Sequence, residues 1–255
     1  ADLNNCGGCN ALCSVAHGTP ACVSSQCTIA TCDLGWADCN TQVVDGCEQN
    51  TSTSTVHCGG CNLACPSRPN ATASCVSSSC GFACNPGYLD LDGQALNGCE
   101  YRCTATGADV PEMGFVDANC DGIDGDASQA IFVATSGDDT APGTRAQPKR
   151  TISTGIGAAA SVFPKRAVYV SRGTYAETVV MQPGVSLYGG YDAPAGWGRS
   201  LTNPTLIASP NAVGVLAQNI TLAAELQLFT VTAQNASGTE TTGEGRSSIG
   251  IHIVD

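Results

Sequence analysis

Asp117, Asn119 and Asp121 set an oxygen-bearing side chain at every second position of the stretch Asp117-Ala118-Asn119-Cys120-Asp121-Gly122-Ile123-Asp124-Gly125-Asp126. A hard cation takes about 6 to 8 oxygen ligands. Gly122 permits a sharp turn, and the carbonyl of Ile123 with Asp124 or Asp126 would add to the set, so the loop is expected to bind calcium. The spacing follows the first half of a D-x-[DN]-x-[DN]-G loop, but Ser128 stands at the twelfth position where a bidentate Glu is usual, so further ligands must come from elsewhere. The competing reading is an acidic, glycine-rich turn with no ion. Asp90-Leu91-Asp92-Gly93 is a poorer loop of the same kind and reads as a solvated turn.

Sulfur supplies the second chemistry. All 17 cysteines lie between Cys6 and Cys120. Residues 1–51 and 52–103 read as two copies of one unit with a period of 52 residues,. The first runs through Cys6, Cys9, Cys13, Cys22, Cys27, Cys32, Cys39 and Cys47; the second through Cys58, Cys61, Cys65, Cys75, Cys80, Cys84 and Cys99. Cys103 and Cys120 follow, and Leu91 occupies the position of Cys39. Such units have few large apolar residues, so disulfides of about 2 to 4 kcal/mol each must hold them. Eight cysteines in the first unit allow about 105 pairings, and spacing does not choose among them. If Cys39 pairs with Cys47, then Cys99 needs another partner, with Cys103 and Cys120 as candidates; an odd number leaves one thiol unpaired or bonded to another chain. Zinc at Cys-Gly-Gly-Cys would want four Cys/His ligands, and a redox pair would want a βαβ setting; structural disulfides are the reading adopted.

That density of cysteine is hard to reconcile with a reducing compartment, which places the protein outside the cell or on its surface. The formal net charge of −12, from 22 acidic and 10 basic residues, repels polyanions and excludes nucleic acid as a natural partner. There is no run of about 18 apolar residues, hence no membrane span in this chain. Asn50, Asn70, Asn219 and Asn235 are glycan acceptor sites in a eukaryotic host.

After an acidic, calcium-binding linker at 104–129, residues 130–255 change character. Ile131-Phe132-Val133 reads as a strand. Thr151 reads as an N-cap opening a helix of about ten residues with Ile152, Ile156, Ala159, Ala160 and Phe163 on one face, weakened by Gly155 and Gly157. Short strands are expected at 167–170, 178–181, 185–188, 204–207, 213–216, 226–231 and 249–254. Leu187, Ile207, Leu228 and Ile251 follow one another at steps of 20, 21 and 23 residues, a spacing that suits successive coils of a parallel β-helix. The fold class expected is therefore mainly β: disulfide-rich, loop-rich tandem repeats, then an N-terminally capped right-handed parallel β-helix. A β-sandwich is the competitor.

The openings Asn4-Asn5-Cys6-Gly7-Gly8-Cys9-Asn10 and Cys58-Gly59-Gly60-Cys61-Asn62, with the closings Gly35-Trp36-Ala37-Asp38-Cys39 and Asp45-Gly46-Cys47-Glu48, resemble cysteine-rich repeats of surface proteins from myxobacteria and related deltaproteobacteria. Val168-Tyr169-Val170-Ser171-Arg172-Gly173-Thr174-Tyr175-Ala176-Glu177 and Gly184-Val185-Ser186-Leu187-Tyr188-Gly189-Gly190-Tyr191-Asp192 resemble the start of pectin-lyase-like right-handed β-helix domains. The resemblance implies repeats in arrays, a chain beginning inside a longer protein, a helix capping the solenoid, and metal binding by loops like Asn119-Cys120-Asp121-Gly122. The resemblance implies that enzymes of that fold use paired carboxylates, about 5 to 9.5 Å apart for glycoside hydrolysis, or a calcium with a basic residue. Here the acidic residues after Val185 are Asp192, Glu225, Glu240, Glu244 and Asp255, and the basic ones Arg199 and Arg246, with no pair on equivalent strand positions; His252, between Ile251 and Ile253, is expected to face outward. Tyr188, Tyr191 and Trp197 either stack on sugars or cover a core end. No catalytic residue is assigned. The functional expectation is an extracellular structural or adhesive protein that binds surface glycans or itself, as a homo-oligomer or fibre; the alternative is a polysaccharide-binding or polysaccharide-degrading enzyme.

Overall fold

The computed structural model describes residues 2–239, 241 and 246–254; Glu240, Glu244 and Asp255 lie outside them. The protein is mainly β and disulfide-rich, and it divides into two units, Ala1–Cys103 and Thr104–Asp255.

Each repeat of the first unit is a pair of hairpins. Strand β1 (Gly18–Val23) pairs antiparallel with β2 (Gln26–Cys32), and β3 (Trp36–Ala37) with β4 (Gln49–Asn50); the second repeat does the same with β5 (Ala71–Val76), β6 (Ser79–Cys84), β7 (Tyr88–Leu89) and β8 (Tyr101–Arg102). The long hairpins turn on Ser24-Ser25 and Ser77-Ser78, all four at positive φ, as the tight two-residue turn between twisted strands requires. Among the described residues of this unit every buried apolar side chain is a cysteine: Cys6, Cys13, Cys47, Cys58, Cys75 and Cys99. Leu34, Val44 and Leu96 stand at 90% exposure or more, so covalent bonds hold what an oily core does not.

The second unit opens with the acidic stretch, which is not a free linker. Ile123 is buried in a cluster with Phe132, Tyr169, Tyr191 and Trp197. Strand β9 (Ala130–Val133) starts a parallel ladder that continues through β10 (Ala167–Ser171), then β13 (Leu187–Asp192) and β17 (Leu226–Gln227). Between β9 and β10 lies helix α1 (Ile152–Ala160). Strands β11 (Gly173–Tyr175) and β12 (Val179–Val180) follow β10; β14 (Gly198–Arg199) pairs antiparallel with β13. Strands β15 (Thr205–Ala208) and β16 (Val213–Gln218) lie parallel to β11 and β12, and β18 (Phe229–Thr232) and β19 (Ile249–Val254) extend those two ladders. The chain thus visits three small parallel sheets in rotation.

Pairing stacks like on like: Ile131, Val168, Leu187 and Leu226 in one row, Tyr175, Ile207 and Val231 in a second, and Val179, Val215 and Ile251 in a third. The first ladder is covered on both faces. Ile131, Val133 and Val168 enter the aliphatic core, whereas Phe132, Tyr169 and Tyr188 enter the aromatic one; hence the unbroken apolar runs of β9 and β10.

Several sequence expectations change here. Leu187, Ile207 and Ile251 belong to three different ladders, and Leu228 to none, so their 20 to 23 residue steps do not join successive rungs; Val179, Val215 and Ile251 do. The expected strand at 226–231 breaks at Leu228, φ 58°, where the chain turns from one sheet to the next. Gly189 is needed beneath this corner, since a Cβ there would lie 2.5 Å from the Leu228 carbonyl. Phe163 lies beyond α1, fully exposed. His252 is half-buried while Ile251 and Ile253 are exposed, the reverse of the alternation expected.

Candidate metal centre and the disulfide framework

The acidic loop folds by turning its side-chain oxygens onto its own backbone. Asp117 accepts hydrogen bonds from the N–H groups of Asp121 (3.1 Å) and Gly122 (2.7 Å); Asn119 Oδ1 accepts from Asp121 N at 3.0 Å. Asp121 accepts from Ile123 N at 3.2 Å and Ala127 N at 2.8 Å. These bonds bend the loop into an arc, and Asp121 Oδ2 also accepts from the Asn119 amide Nδ2 at 3.0 Å. All three side chains are half-buried.

Two of the other expected ligands, the Asp124 and Asp126 side chains, are engaged elsewhere. Asp124 accepts at Oδ2 from Arg199 Nη1 (2.7 Å) and at Oδ1 from the N–H of Glu112 (3.2 Å), and its carbonyl accepts from the Tyr191 hydroxyl at 2.7 Å. Asp126 caps the 3-10 turn Ala127–Gln129 through Ser128 N and its hydroxyl. Ile123, expected to contribute its main-chain carbonyl, has its side chain buried in the aromatic cluster. Sequence reading missed Asp109, a buried carboxylate that accepts from Ala118 N at 3.0 Å. Burial raises its pKa, backbone N–H donation from Gly125 and Ala118 works against this, and the charges of Asp117 and Asp121 push it further up. Nothing in the spacing announces Asp109, eight residues before Asp117. Arg145 also reaches the loop, donating from Nη1 to the Asp121 carbonyl at 3.1 Å.

The fit for calcium is therefore partial: Asp117, Asn119 and Asp121 offer oxygens on one arc, Asp109 adds local negative charge, and Arg145 opposes it. Among the described residues, a tighter carboxylate group sits in the second repeat, where Glu100 joins Asp90 and Asp92 with one oxygen of each within 4.8 Å of the others. The equivalent positions of the first repeat are Asp38, Asn40 and Glu48, one carboxylate fewer. An amide-to-carboxylate bond is preserved with its partners exchanged: Asn40 donates to Asp45 at 2.8 Å, and Asn97 to Asp92 at 2.9 Å.

All the cysteines but Cys9 are in disulfides rather than free to ligate a metal. Disulfides join Cys6–Cys22, Cys13–Cys27, Cys32–Cys47, Cys39–Cys61, Cys58–Cys75, Cys65–Cys80 and Cys84–Cys99. Cys103 and Cys120 are each disulfide-bonded. Cys39 therefore does not take Cys47 but reaches across to the second repeat, and Cys99 finds its partner in Cys84. Among the described residues only Cys9 is free, and it is exposed.

Tyr188, Tyr191 and Trp197 are at most 4% exposed. They form an aromatic cluster, with Tyr191 stacked on Tyr169 at 4.9 Å and Trp197 edge-on to Phe132 at 4.7 Å. No ring among them lies open to a sugar; they cover a core. Burial, with a hydrogen bond to Glu225, pushes the Tyr188 phenol up to about 12. Tyr188 also borders an open groove of about 330 Å³ whose rim carries Asp109, Asp126, Lys165 and Arg166. Asp192 is 2.9 Å from Arg172 Nε. No family model, no curated protein and no solved structure matches this chain.

Proposed function

We propose that this is an extracellular structural or adhesive surface protein of the cysteine-rich repeat type, in which a disulfide-stapled stalk leads into a capped right-handed parallel β-helix and calcium stiffens the acidic loop. The observation that carries the reading is the Cys39–Cys61 bond, which joins one repeat to the next. A chain whose repeats are joined covalently as well as through the backbone resists extension and proteolysis, which an adhesive stalk requires. Disulfides on this scale fit a secreted or surface setting, and among the described residues no helix is long and apolar enough to cross a membrane.

The rotation of the chain through three parallel ladders supports the β-helix reading, and right-handed crossovers are the rule for parallel connections. Helix α1 would serve as its cap. In the calcium reading, Asp117, Asn119 and Asp121 would hold the ion, with main-chain carbonyls and water as further ligands; the ion would neutralise the mutual repulsion of these carboxylates and Asp109. The partners proposed are surface glycans or further copies of the chain. The polysaccharide-degrading alternative rests on strand topology alone, and a fold does not specify an activity.

The purified chain is expected to bind a glycan-coated surface or itself, and to release no unsaturated product from acidic polysaccharides. Release of such product, abolished by replacing one carboxylate, would overturn the structural reading in favour of the enzyme.

A further inference from the structure

The two repeats share three disulfides in the same cysteine order: Cys6–Cys22 with Cys58–Cys75, Cys13–Cys27 with Cys65–Cys80, and Cys32–Cys47 with Cys84–Cys99. Their openings have the same backbone. Cys6 N donates to Ala11 O at 2.9 Å and Cys58 N to Leu63 O at 2.8 Å; Gly7 and Gly59 lie at φ 86° and 81°, Asn10 and Asn62 at 59° and 58°. The second cysteine of the opening is Cys9 in one repeat and Cys61 in the other. Cys61 is bonded to Cys39, 5.4 Å away at Cα, on the closing loop of the preceding repeat. Cys9 has no such partner and is exposed.

The closing loops match as well. The N–H of Cys39 donates to Glu48, and that of Leu91 to Glu100 at 2.9 Å. The second repeat therefore builds the same closing loop and places a leucine where the linking cysteine stands. Each link has a polarity, closing loop to next opening. This chain carries one complete link, one unspent opening at Cys9 and one blank closing loop at Leu91.

We infer that Cys9 is the receiving half of a repeat-to-repeat disulfide and pairs with a cysteine at the Cys39 position of another repeat of this kind. This deepens the stalk reading and rests on it. Forming the bond removes two protons and two electrons from the two thiols; a disulfide of the glutathione class, or a protein disulfide, accepts them and becomes two thiols. A second unaltered copy cannot supply the partner, because its Cys39 is spent on Cys61. The donor is a repeat with an unspent closing cysteine, on the same polypeptide or on another.

The test mixes the unaltered chain with a Cys9→Ser/Cys61→Ser variant, in which Cys39 is unspent, in a glutathione redox buffer. Peptide mapping should find Cys9–Cys39 heterodimers in roughly tenfold excess over the Cys9–Cys61 product formed with a Cys9→Ser/Cys39→Ser variant, since an oriented contact raises the effective concentration of the right thiol. A second arm, with all cysteines unaltered, duplicates residues 1–52 at the amino end; there the Cys39 of the added copy should bond Cys9 within one chain. A link in the second arm alone assigns the same polypeptide as the source; a link in both admits a separate chain. Equal yields of the two heterodimers, with Cys9 left as its glutathione adduct or as a Cys9–Cys9 dimer in the second arm, would overturn the inference. Enzymatic turnover by the second unit would sink the stalk reading without altering these yields.

Discussion

Asp124 and Arg199, 75 residues apart in sequence, form an ion pair at 2.7 Å with side chains at 1% and 0% exposure. Arg199 spends its other donors on the carbonyls of Gly189 (3.0 Å) and Glu112 (3.2 Å) and on the Gln227 amide oxygen (3.0 Å), and its guanidinium lies 5.5 Å from the ring centres of Tyr188 and Tyr191. It thereby ties the acidic stretch to β13, β14 and β17. Because a buried charge left alone is costly, Arg199→Ala should destabilise the second unit by about 3 to 5 kcal/mol. Replacing both partners, as Asp124→Leu with Arg199→Met, should cost clearly less than the sum of the single changes. Chemical denaturation of the four proteins measures the coupling; additive losses would show that the pair is not a unit.

Helix α1 carries two glycines with opposite expectations. A Cβ on Gly155 would lie 2.5 Å from Val133 Cγ2, whereas one on Gly157 would meet nothing within 4 Å. Gly155→Ala must push α1 off β9 and should lower the melting temperature. Gly157→Ala removes only the helix cost of glycine and should stabilise by about 0.5 to 1 kcal/mol. Thermal melts of both variants decide this; a stabilising Gly155→Ala would mean the helix does not close on the sheet at that point.

Much of this architecture was legible because it is repetitive or alternates in burial. The 52-residue duplication predicts two equivalent repeats, and the Thr151 hydroxyl does cap α1 by accepting from Thr154 N. The hairpins of the first unit left no such trace, since Ser24-Ser25 and Ser77-Ser78 take the left-handed turn usually marked by Asn-Gly,. The 20 to 23 residue spacing misled for a related reason. Ser200 to Asn203 and the excursion through β14 lengthen one round, so the spacing of similar strands mixed different sheets. The metal loop was half legible: local spacing brings Asp117, Asn119 and Asp121 together, but only tertiary contact shows that Asp124 belongs to Arg199 and that Glu100 joins Asp90 and Asp92.

Acid should loosen α1 at its amino end. Asp139 accepts from the N–H groups of Arg150 and Thr151, each at 2.9 Å, and from the Thr151 hydroxyl at 3.1 Å. Partial burial pushes its carboxyl up, but these hydrogen bonds outweigh that and hold it below the usual carboxylate range. A group with a depressed folded pKa stabilises the fold above its unfolded value, about 3.9 for Asp, and that stabilisation is lost as pH falls through the folded value. Asp139→Asn should therefore lower the melting temperature at neutral pH and flatten its decline below about pH 4. Parallel pH profiles for the two proteins would reject the assignment.

Variants of the two acidic groups separate the sites at which calcium could act. If the Asp117 loop binds the ion, free calcium at about 100 times its dissociation constant should stabilise the second unit by about 2.7 kcal/mol. Asp121→Asn should reduce this shift and leave the disulfides unchanged. Arg145 provides the sharper test, since its guanidinium donates to the Asp121 carbonyl and to the Gly196 carbonyl at 2.6 Å. Removing a cation beside a cation site strengthens ion binding, so Arg145→Met should tighten calcium affinity while lowering stability in chelator. Glu100→Gln, in the first unit, should change neither value. Calorimetric titration and melts with and without chelator separate the cases: a thermal shift that survives Asp121→Asn but not Glu100→Gln would move the site to the second repeat, and no shift in any variant would leave the Asp117 arc a turn held by its own backbone.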